Sequence, residues 1–335
     1  MPHGREHTDI GIFNSLAWLF GLGLILAGPT LLGGSGAVYS AFVLIAIFAV
    51  MSYGLDVIVS DLGEVSLAHP VFFAAGAYAS AIGSARWGLD PISTLLIAIA
   101  AAALIAAGIG LVTLRMREFV FSLVTYAVTV VGMTLAANWA FLGGSDGITG
   151  IPVFQVFGYS ALTDRELWPV AWLLLVIALY LVRCFRRSRL GQEAMTVHLN
   201  PRLATMSGID PHRVRIQVFL FSAPITASAG WLYSYQRAYI SADVVDMYFL
   251  ILMLTAVVLI GRRILLAPLI GVALILCQEK FLSFGGYVDR IILGSVLIAV
   301  LSFLPRGLAG PASDLFRWAT GRRTSAKIPQ EEPRI

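Results

Sequence analysis

Charged side chains are scarce in this sequence. Asp, Glu, Lys and Arg make up 13% of its 335 residues, against roughly 25% in ordinary soluble domains. Hydrophobic residues make up 58%, and the mean hydropathy is +0.84. So few polar residues cannot cover a surface that faces water, which excludes an ordinary soluble fold and indicates an integral membrane protein.

Cysteine is almost absent, and the sequence has no nucleotide-binding loop. Its two cysteines, Cys184 and Cys277, lie on predicted helices without metal-ligand spacing, which argues against a disulfide framework or a zinc site. We interpret both as packing residues, and we expect no metal and no cofactor. No segment matches G-x-x-x-x-G-K-[ST], so any ATP must be hydrolysed by another chain.

Long apolar runs replace the missing charge. Their lengths predict an all-α, polytopic transmembrane bundle of about ten helices, some of them short or broken. The first run follows Arg5 as a secretory signal would, but it is long enough to cross the bilayer and lacks a cleavage site, so we expect it to stay attached. The predicted helices are 10–32, 37–57, 66–84, 91–114, 118–142, 167–185, 215–235, 247–261, 264–280 and 288–304.

The basic residues predict how these helices are oriented. Most lysines and arginines, including seven arginines between Arg183 and Arg215, fall on one side if ten helices alternate. The positive-inside rule then puts both termini and this side in the cytoplasm, and it explains the net charge of +4 without a nucleic-acid partner. Merging the eighth and ninth helices would bury Arg262 and Arg263 in hydrocarbon, at about 2.5–3.5 kcal/mol each.

Two polar segments are too long to be turns. The outside loop 143–166 is rich in glycine and predicts a structured periplasmic cap. The cytoplasmic segment 186–213 contains helix breakers between short helix-compatible stretches, so we expect a small helical surface element. Both belong to a transmembrane domain over 1–312, and the polar tail 313–335 is typical of a disordered cytoplasmic segment.

Ionisable residues concentrate just before the third helix. Asp56, Asp61, Glu64 and His69 precede or flank Pro70, whose missing amide favours a discontinuous helix beside a cavity. Ionisable groups at membrane depth are costly and often mark a pathway. The alternative interpretations are a water-solvated cytoplasmic turn for the carboxylates and a hydrogen-bonded packing role for His69.

Several motifs make this chain resemble the permeases of bacterial branched-chain amino acid ABC importers. Matches occur at Gly143–Pro152, 188–195, 200–209 and Phe303–Gly310. The chain departs from the family pattern at Glu64, Ala68 and Pro70, and the stretch 260–271 keeps few of the family's glycines. The segment around the third helix keeps Gly63, Ser66, Leu67, His69, Phe72, Phe73, Gly76, Ala77 and Tyr78.

The resemblance implies a passive translocation subunit of the bacterial inner membrane, not an enzyme. It would carry branched-chain amino acids or a similar small polar solute across the lipid bilayer. The implied partners are a second permease subunit that completes a heterodimer, cytoplasmic ATP-binding subunits and a periplasmic substrate-binding protein. The segment 186–213 would be the coupling loop that seats in a groove of the ATPase.

The ionisable residues, the internal repeat described below and the resemblance together suggest candidate site residues. The translocation pathway candidates are Glu64, Ser66, His69, Pro70, Phe72, Phe73, Tyr78, Ser222 and Pro224. The candidates for coupling to the ATPase are Arg189, Gly191, Glu193, Asn200, Arg202, Ala204 and Gly208. The candidates for docking the binding protein are Ser145, Asp146 and Thr149.

Other functions remain open at this point. A permease for urea or short amides would carry the same signature. An ion-coupled secondary transporter could use the carboxylates and His69, and a membrane-embedded enzyme could use His69 and Glu64 as base and acid. A weak internal repeat relates Ser222-Ala223-Pro224 and the residues after it to Ala68-His69-Pro70, and it predicts a pathway between the two proline-bearing helices.

Overall fold

The chain forms a bundle of α-helices in the computed structural model, which describes residues 21–113, 118–281 and 287–303. Each of the ten predicted runs corresponds to a helix, the first of them described only from Gly21. These are α1 (Gly21–Leu31), α2 (Gly36–Asp56), α3 (His69–Ala85), α4 (Pro91–Thr113), α5 (Glu118–Asn138), α6 (Asp164–Arg187), α9 (Pro211–Arg237), α10 (Met247–Ile260), α11 (Ala267–Phe281) and α12 (Tyr287–Phe303).

Two shorter helices and a hairpin complete the described elements. Helices α7 (Arg189–Leu199) and α8 (Pro201–Met206) lie in the predicted coupling segment. Strands β1 (Phe154–Val156) and β2 (Tyr159–Ala161) pair antiparallel in the predicted outside loop. The predicted tail 313–335, the start of the first run and residues 304–310 of the closing motif lie outside the described residues.

Six of the described helices are long and apolar enough to cross a membrane: α2, α4, α5, α6, α9 and α10 with the turn that precedes it. Helices α3 and α11 are shorter because each begins after a break in the backbone. Irregular backbone at membrane depth is tolerated where protein surrounds it. The predicted bundle of long, short and broken helices is therefore confirmed.

The break before α3 is built by a π-helix and a glycine. After α2 the chain continues as a π-helix, Val57–Leu62, and Gly63 then adopts a left-handed conformation with φ of 77°. Helix α3 begins at His69 because Pro70, in the first turn, has no amide to leave unsatisfied. The predicted start at residue 66 is three residues too early for this reason.

A second break separates α10 from α11. Gly261 has φ of 136° and Arg263 has φ of 63°, and neither conformation continues a helix. The Tyr53 hydroxyl donates to the carbonyl of Leu265, 2.8 Å away, and so ties this connection to α2. The two predicted helices are therefore separate, as the arginine pair indicated.

Helix α9 is the central element, and it crosses α3 at two glycines. A Cβ atom on Gly76 would overlap the backbone of Ala227, and one on Gly230 would overlap the backbone of Phe73. The two helices therefore approach through their backbones, as small residues permit in membrane bundles. The contact is reciprocal, since each helix supplies one glycine.

The spacing of this crossing agrees with the weak repeat in the sequence. Gly76 follows Pro70 by six residues, and Gly230 follows Pro224 by six. The ring contact of His69 with Phe219 lies before the crossing, and the hydrogen bond of Ser234 to Ser80 at 2.7 Å lies beyond it. Contacts that advance together along both helices mean that α3 and α9 run parallel.

The interpretation of the two cysteines as packing residues is wrong. Cys184 on α6 and Cys277 on α11 are both free and exposed on this chain. On α6 the exposed side chains of Leu173, Ile177 and Tyr180 lie on the same stripe as Cys184, at helical spacing. An apolar side chain on a membrane helix can face lipid or a partner as easily as the core, so composition did not distinguish a core position from an exposed one.

Candidate functional site

The candidate functional side chains concentrate at the two opposite ends of the bundle. The end that carries α7 and α8 is called the α7–α8 end, and the end that carries β1 and β2 is called the hairpin end. An ion-pair cluster lies at the α7–α8 end, where α2 and α6 finish and α9 begins. An open cavity lies at the hairpin end, where α9 finishes.

Arg186 is the centre of the ion-pair cluster. Its Nη2 lies 2.7 Å from Asp56, and its Nε lies 2.9 Å from Asp61. Ser60 donates a hydrogen bond of 2.5 Å to Asp56, and Arg263 lies 3.3 Å from Asp61. The π-helix after α2 brings the two carboxylates to the same arginine, and the pairs join α2, α6 and the α10–α11 connection.

Glu64 forms the third arm of the ion-pair cluster. Its carboxylate lies 2.6 Å from Nε of Arg215, in the first part of α9. The exposed fractions of Asp56, Asp61 and Glu64 are 1%, 0% and 5%. The interpretation of these carboxylates as a water-solvated turn is therefore wrong. Buried carboxylates need partners, and those partners lie far away in the sequence.

Several predicted pathway residues are packed in the core. Ser66, His69 and Phe72 are all 0% exposed. The Ser66 hydroxyl shares a hydrogen bond of 3.2 Å with Nδ1 of His69, whose ring makes T-shaped contacts with those of Phe72 and Phe219. This arrangement fits the packing interpretation of His69. Pro70 starts α3 beside them.

Ser222 and Pro224 belong to the interior of α9. The Ser222 hydroxyl donates to the carbonyl of Phe219 at 2.9 Å, so it satisfies its own helix. Pro224 lies inside α9 without ending it. Both residues therefore belong to the helix that crosses α3, and Ser222 is buried there while Pro224 is partly buried.

The predicted coupling segment packs on the break between α2 and α3. A Cβ on Gly63 would overlap the imidazole of His198, near the end of α7. Helix α7 in turn follows α6 directly, and a Cβ on Gly191 would overlap the carbonyl of Phe185. Movement of α7 would therefore press on both α6 and the π-helix.

Several predicted coupling residues stabilise the structure of this segment. Gly191 and Ala204 are buried, and Asn200 caps α8 by accepting hydrogen bonds from two backbone amides at 3.1 Å. Glu193 pairs with Arg189 at 2.7 Å. Gly208 ends the segment with φ of 78°.

The outer face of the segment carries apolar side chains that sequence reasoning missed. Leu199, Leu203 and Met206 are 72%, 55% and 85% exposed, beside the exposed Arg202. Exposed apolar residues that lie together on one face are a usual mark of a protein contact. Leu203 and Met206 are three positions apart on α8, and this helical spacing was a signal that could have identified the face.

The cavity at the hairpin end, here called the vestibule, has a volume of about 510 Å³. Its floor is aromatic and buried, formed by Phe48, Tyr233 and Phe249. Phe73 supports this floor from α3, with ring centroids 5.2 Å from Tyr233 and 5.4 Å from Phe249. Of the predicted pathway residues, Phe73 is thus directly behind the vestibule.

Charged and hydroxyl side chains line the rim of the vestibule. Arg237 lies over the ring of Tyr233, 5.8 Å from its centroid. Asp243 accepts a hydrogen bond from Ser241 at 3.1 Å, and Asp246 caps α10 through the amide of Tyr248 at 3.0 Å. Sequence reasoning missed these residues, although a polar stretch between two apolar runs was visible.

The predicted docking loop lies against the vestibule. Ser145, Asp146 and Thr149 are exposed. Two backbone hydrogen bonds of 2.7 and 3.0 Å join Ile148 to Ile240, and the Tyr239 hydroxyl donates to the carbonyl of Asp146 at 3.2 Å. A partner that moved this loop would therefore act on the vestibule rim.

Tyr78 lies away from the vestibule, in an apolar groove of about 340 Å³ between α3, α4 and α5. The groove also contains Trp87, Gly132 and Trp139. Within the described residues, no group of three or more His, Cys, Asp or Glu side chains has the geometry to hold a metal ion.

The sequence is similar to known transport proteins over most of its length. Residues 37–301 match the family model described as branched-chain amino acid transport system, permease component. The high-affinity branched-chain amino acid transport system permease protein LivM of Escherichia coli K12 is 26% identical over 287 residues, 78% of this chain and 67% of that protein. LivM of Salmonella typhimurium LT2 is 25% identical with the same coverage. No solved structure gives a significant match.

Proposed function

The chain belongs to the family of branched-chain amino acid transport permeases, and from that premise we propose that it is the membrane-spanning subunit of an ABC importer for branched-chain amino acids. ATP hydrolysis on partner subunits drives the transport. The chain itself supplies the passage and the contact surface. The observation that carries this proposal is the exposed apolar face of α7 and α8 on a segment braced against the bundle.

That face has the properties of a site for a soluble partner. Leu199, Leu203 and Met206 are exposed beside Arg202, and apolar side chains with arginine at the edge are typical of protein interfaces. Topology arginines alone would bind lipid headgroups and would not need the apolar residues. We therefore assign the face to the ATP-binding subunit.

The ion-pair cluster provides a mechanical connection from this face to the helices. Arg186 precedes α7 by only a few residues, and it pairs with Asp56 at the end of α2 and with Asp61 in the π-helix. The imidazole of His198 packs against Gly63 at the same break. A displacement of α7 and α8 would be transmitted to α2 and α3 as a rigid-body movement, and α3 supports the vestibule floor.

This mechanism implies an orientation and a set of partners. The α7–α8 end lies in the cytoplasm with both termini, and the hairpin end lies in the periplasm of a bacterial inner membrane. A second permease subunit forms a heterodimer with this chain. A periplasmic substrate-binding protein docks on the loop that contains Ser145, Asp146 and Thr149.

The ion-coupled transporter is the weaker alternative. It would need carboxylates that gain and lose protons in a wet pathway. Asp56, Asp61 and Glu64 are instead buried, and each of them pairs with an arginine, as expected for carboxylates that hold helices together inside a protein. The enzyme alternative loses its acid for the same reason, since Glu64 is held by Arg215.

The test is reconstitution of this chain with a second permease subunit, an ATP-binding subunit and a substrate-binding protein from the same bacterium. Vesicles that contain the complete complex and the binding protein should accumulate leucine only when ATP is available to the ATPase. Uptake that follows a proton gradient and ignores ATP would contradict the proposal. Uptake of urea but not of leucine, isoleucine or valine would contradict the substrate assignment alone.

A matched pair of variants tests the contact face. Met206→Asp puts a charge on a side chain that is 85% exposed on α8, and Leu162→Asp does the same at 74% exposure at the hairpin end. Met206→Asp should prevent co-purification of the ATPase, whereas Leu162→Asp should leave it intact. Equal recovery of the ATPase with both variants would refute the assignment of the face.

A further inference from the structure

The vestibule carries opposite charges on its rim and an aromatic floor, and we propose that it recognises a zwitterionic α-amino acid with an apolar side chain. Arg237 would bind the carboxylate, Asp243 would bind the ammonium group, and the floor would take the side chain. The inference rests on the proposed function, because it names the solute that this chain itself selects before passage.

The charges of Arg237 and Asp243 are held by neutral partners. Arg237 lies over the Tyr233 ring, and Asp243 accepts from the Ser241 hydroxyl. Both side chains are exposed into the cavity that they line. Among the ion pairs of the described residues, none joins Arg237 to Asp243. A ligand with both charges could therefore pair with each of them without breaking an internal salt bridge.

The floor suits a branched aliphatic group. Phe48, Tyr233 and Phe249 are each less than a tenth exposed, and they offer apolar faces at the bottom of the cavity. Small-molecule sites combine such apolar surface with a few polar groups that fix orientation. The volume of about 510 Å³ also lies within the range of roughly 300–1,000 Å³ that such sites occupy.

A neutral amide fits this lining less well than a zwitterion. Urea would gain only neutral-to-charged hydrogen bonds from Arg237 and Asp243 and would leave the aromatic floor uncovered. Hydrogen bonds between two ionised groups are the stronger kind. The two charges of an amino acid would meet opposite charges of the rim while its side chain covers the floor.

Ligand analogues that each lack one charge test whether Arg237 binds the carboxylate and Asp243 binds the ammonium group. The full chain in lipid nanodiscs, without binding protein, would be titrated by saturation-transfer NMR up to about 10 mM, a range suited to weak sites. Leucine should bind more tightly than 4-methylpentanoate, which lacks the ammonium group, and 3-methylbutylamine, which lacks the carboxylate. Urea should bind least.

Variants assign each charge to its residue. Arg237→Gln should weaken leucine and 4-methylpentanoate by roughly tenfold, as expected for loss of a charge-assisted hydrogen bond, and leave 3-methylbutylamine unchanged. Its matched control is Arg165→Gln, because Arg165 also lies 5.8 Å from a tyrosine ring, that of Tyr39, but outside the vestibule. Asp243→Asn should give the converse pattern, weakening leucine and the amine and sparing the acid.

Three outcomes would overturn the inference: leucine binding no tighter than urea, no detectable leucine binding at 10 mM, or equal effects of Arg237→Gln and Arg165→Gln. The melting temperature of each variant would identify loss of binding that comes from misfolding. Failure of the proposed function is separate, because charge-selective binding in nanodiscs combined with ATP-independent uptake in vesicles would refute that function and leave this site in place.

Discussion

Replacing Arg186 by methionine should leave a buried carboxylate without its ion-pair partner. The guanidinium lies 2.7 Å from Asp56 and 2.9 Å from Asp61, and these carboxylates are 1% and 0% exposed. Removing one partner of a buried ion pair costs about 3–5 kcal/mol because the other charge remains buried. Asp61 would keep Arg263 at 3.3 Å, so most of the cost falls on Asp56, whose other described contact is Ser60.

The measurement is thermal unfolding of the purified chain in detergent. At about 2 °C per kcal/mol for a large domain, Arg186→Met should lower the melting temperature by roughly 6–10 °C. The neighbouring Arg187 is exposed, and Arg187→Met is the matched control, expected to change it by about 1 °C.

A double-mutant cycle measures whether Asp56 and Arg186 are coupled. Asp56→Asn should destabilise the wild-type chain, because it leaves Arg186 with one carboxylate fewer. In the Arg186→Met background the same substitution should recover several degrees, because it removes the stranded charge. Additive effects of the two substitutions would mean that the pair is not coupled, and equal melting temperatures for Arg186→Met and Arg187→Met would refute the cluster.

Three further predictions concern local contacts. Gly76→Ala should lower the melting temperature by several degrees, because overpacking against the α9 backbone costs about 1–3 kcal/mol. The control Gly108→Ala, whose added Cβ would meet open space, should be neutral or stabilising. Equal effects of the two substitutions would contradict the close crossing of α3 and α9. Gly63→Ala should reduce ATP-driven uptake, and His198→Ala should recover part of that loss; no recovery would argue against their contact. Asn200→Ala removes a cap worth about 1 kcal/mol and should speed hydrogen exchange in α8 while sparing α9; unchanged exchange in α8 would contradict the cap.

The helix breaks could be predicted because their causes are local. Pro70 and the glycine before the arginine pair 262–263 restrict the backbone by their own chemistry, and both breaks are present. The crossing of α3 and α9 also left a trace, since the proline and glycine spacing repeats in the two helices. The weak repeat thus indicated two helices that are in contact, and the pathway that it predicted between them stays a prediction.

The candidate site was less accessible to sequence reasoning. Ser66, His69 and Phe72 carry the motif but are packed in the core. The vestibule combines Phe48 of α2 with side chains from α9 onward. No local pattern relates such distant residues, so one sequence could not separate side chains that line a cavity from those that face lipid.

The sequence by itself determined the number, length and apolar character of the helices, because each depends on how a contiguous run of side chains compares with the thickness of hydrocarbon. Only the tertiary structure decided the partners of the buried charges. Asp56 and Arg186 are 130 positions apart in the chain. The sequence around a carboxylate at the end of an apolar run is the same whether that carboxylate is hydrated or paired with an arginine. Desolvation makes that difference, and desolvation arises only when the helices pack.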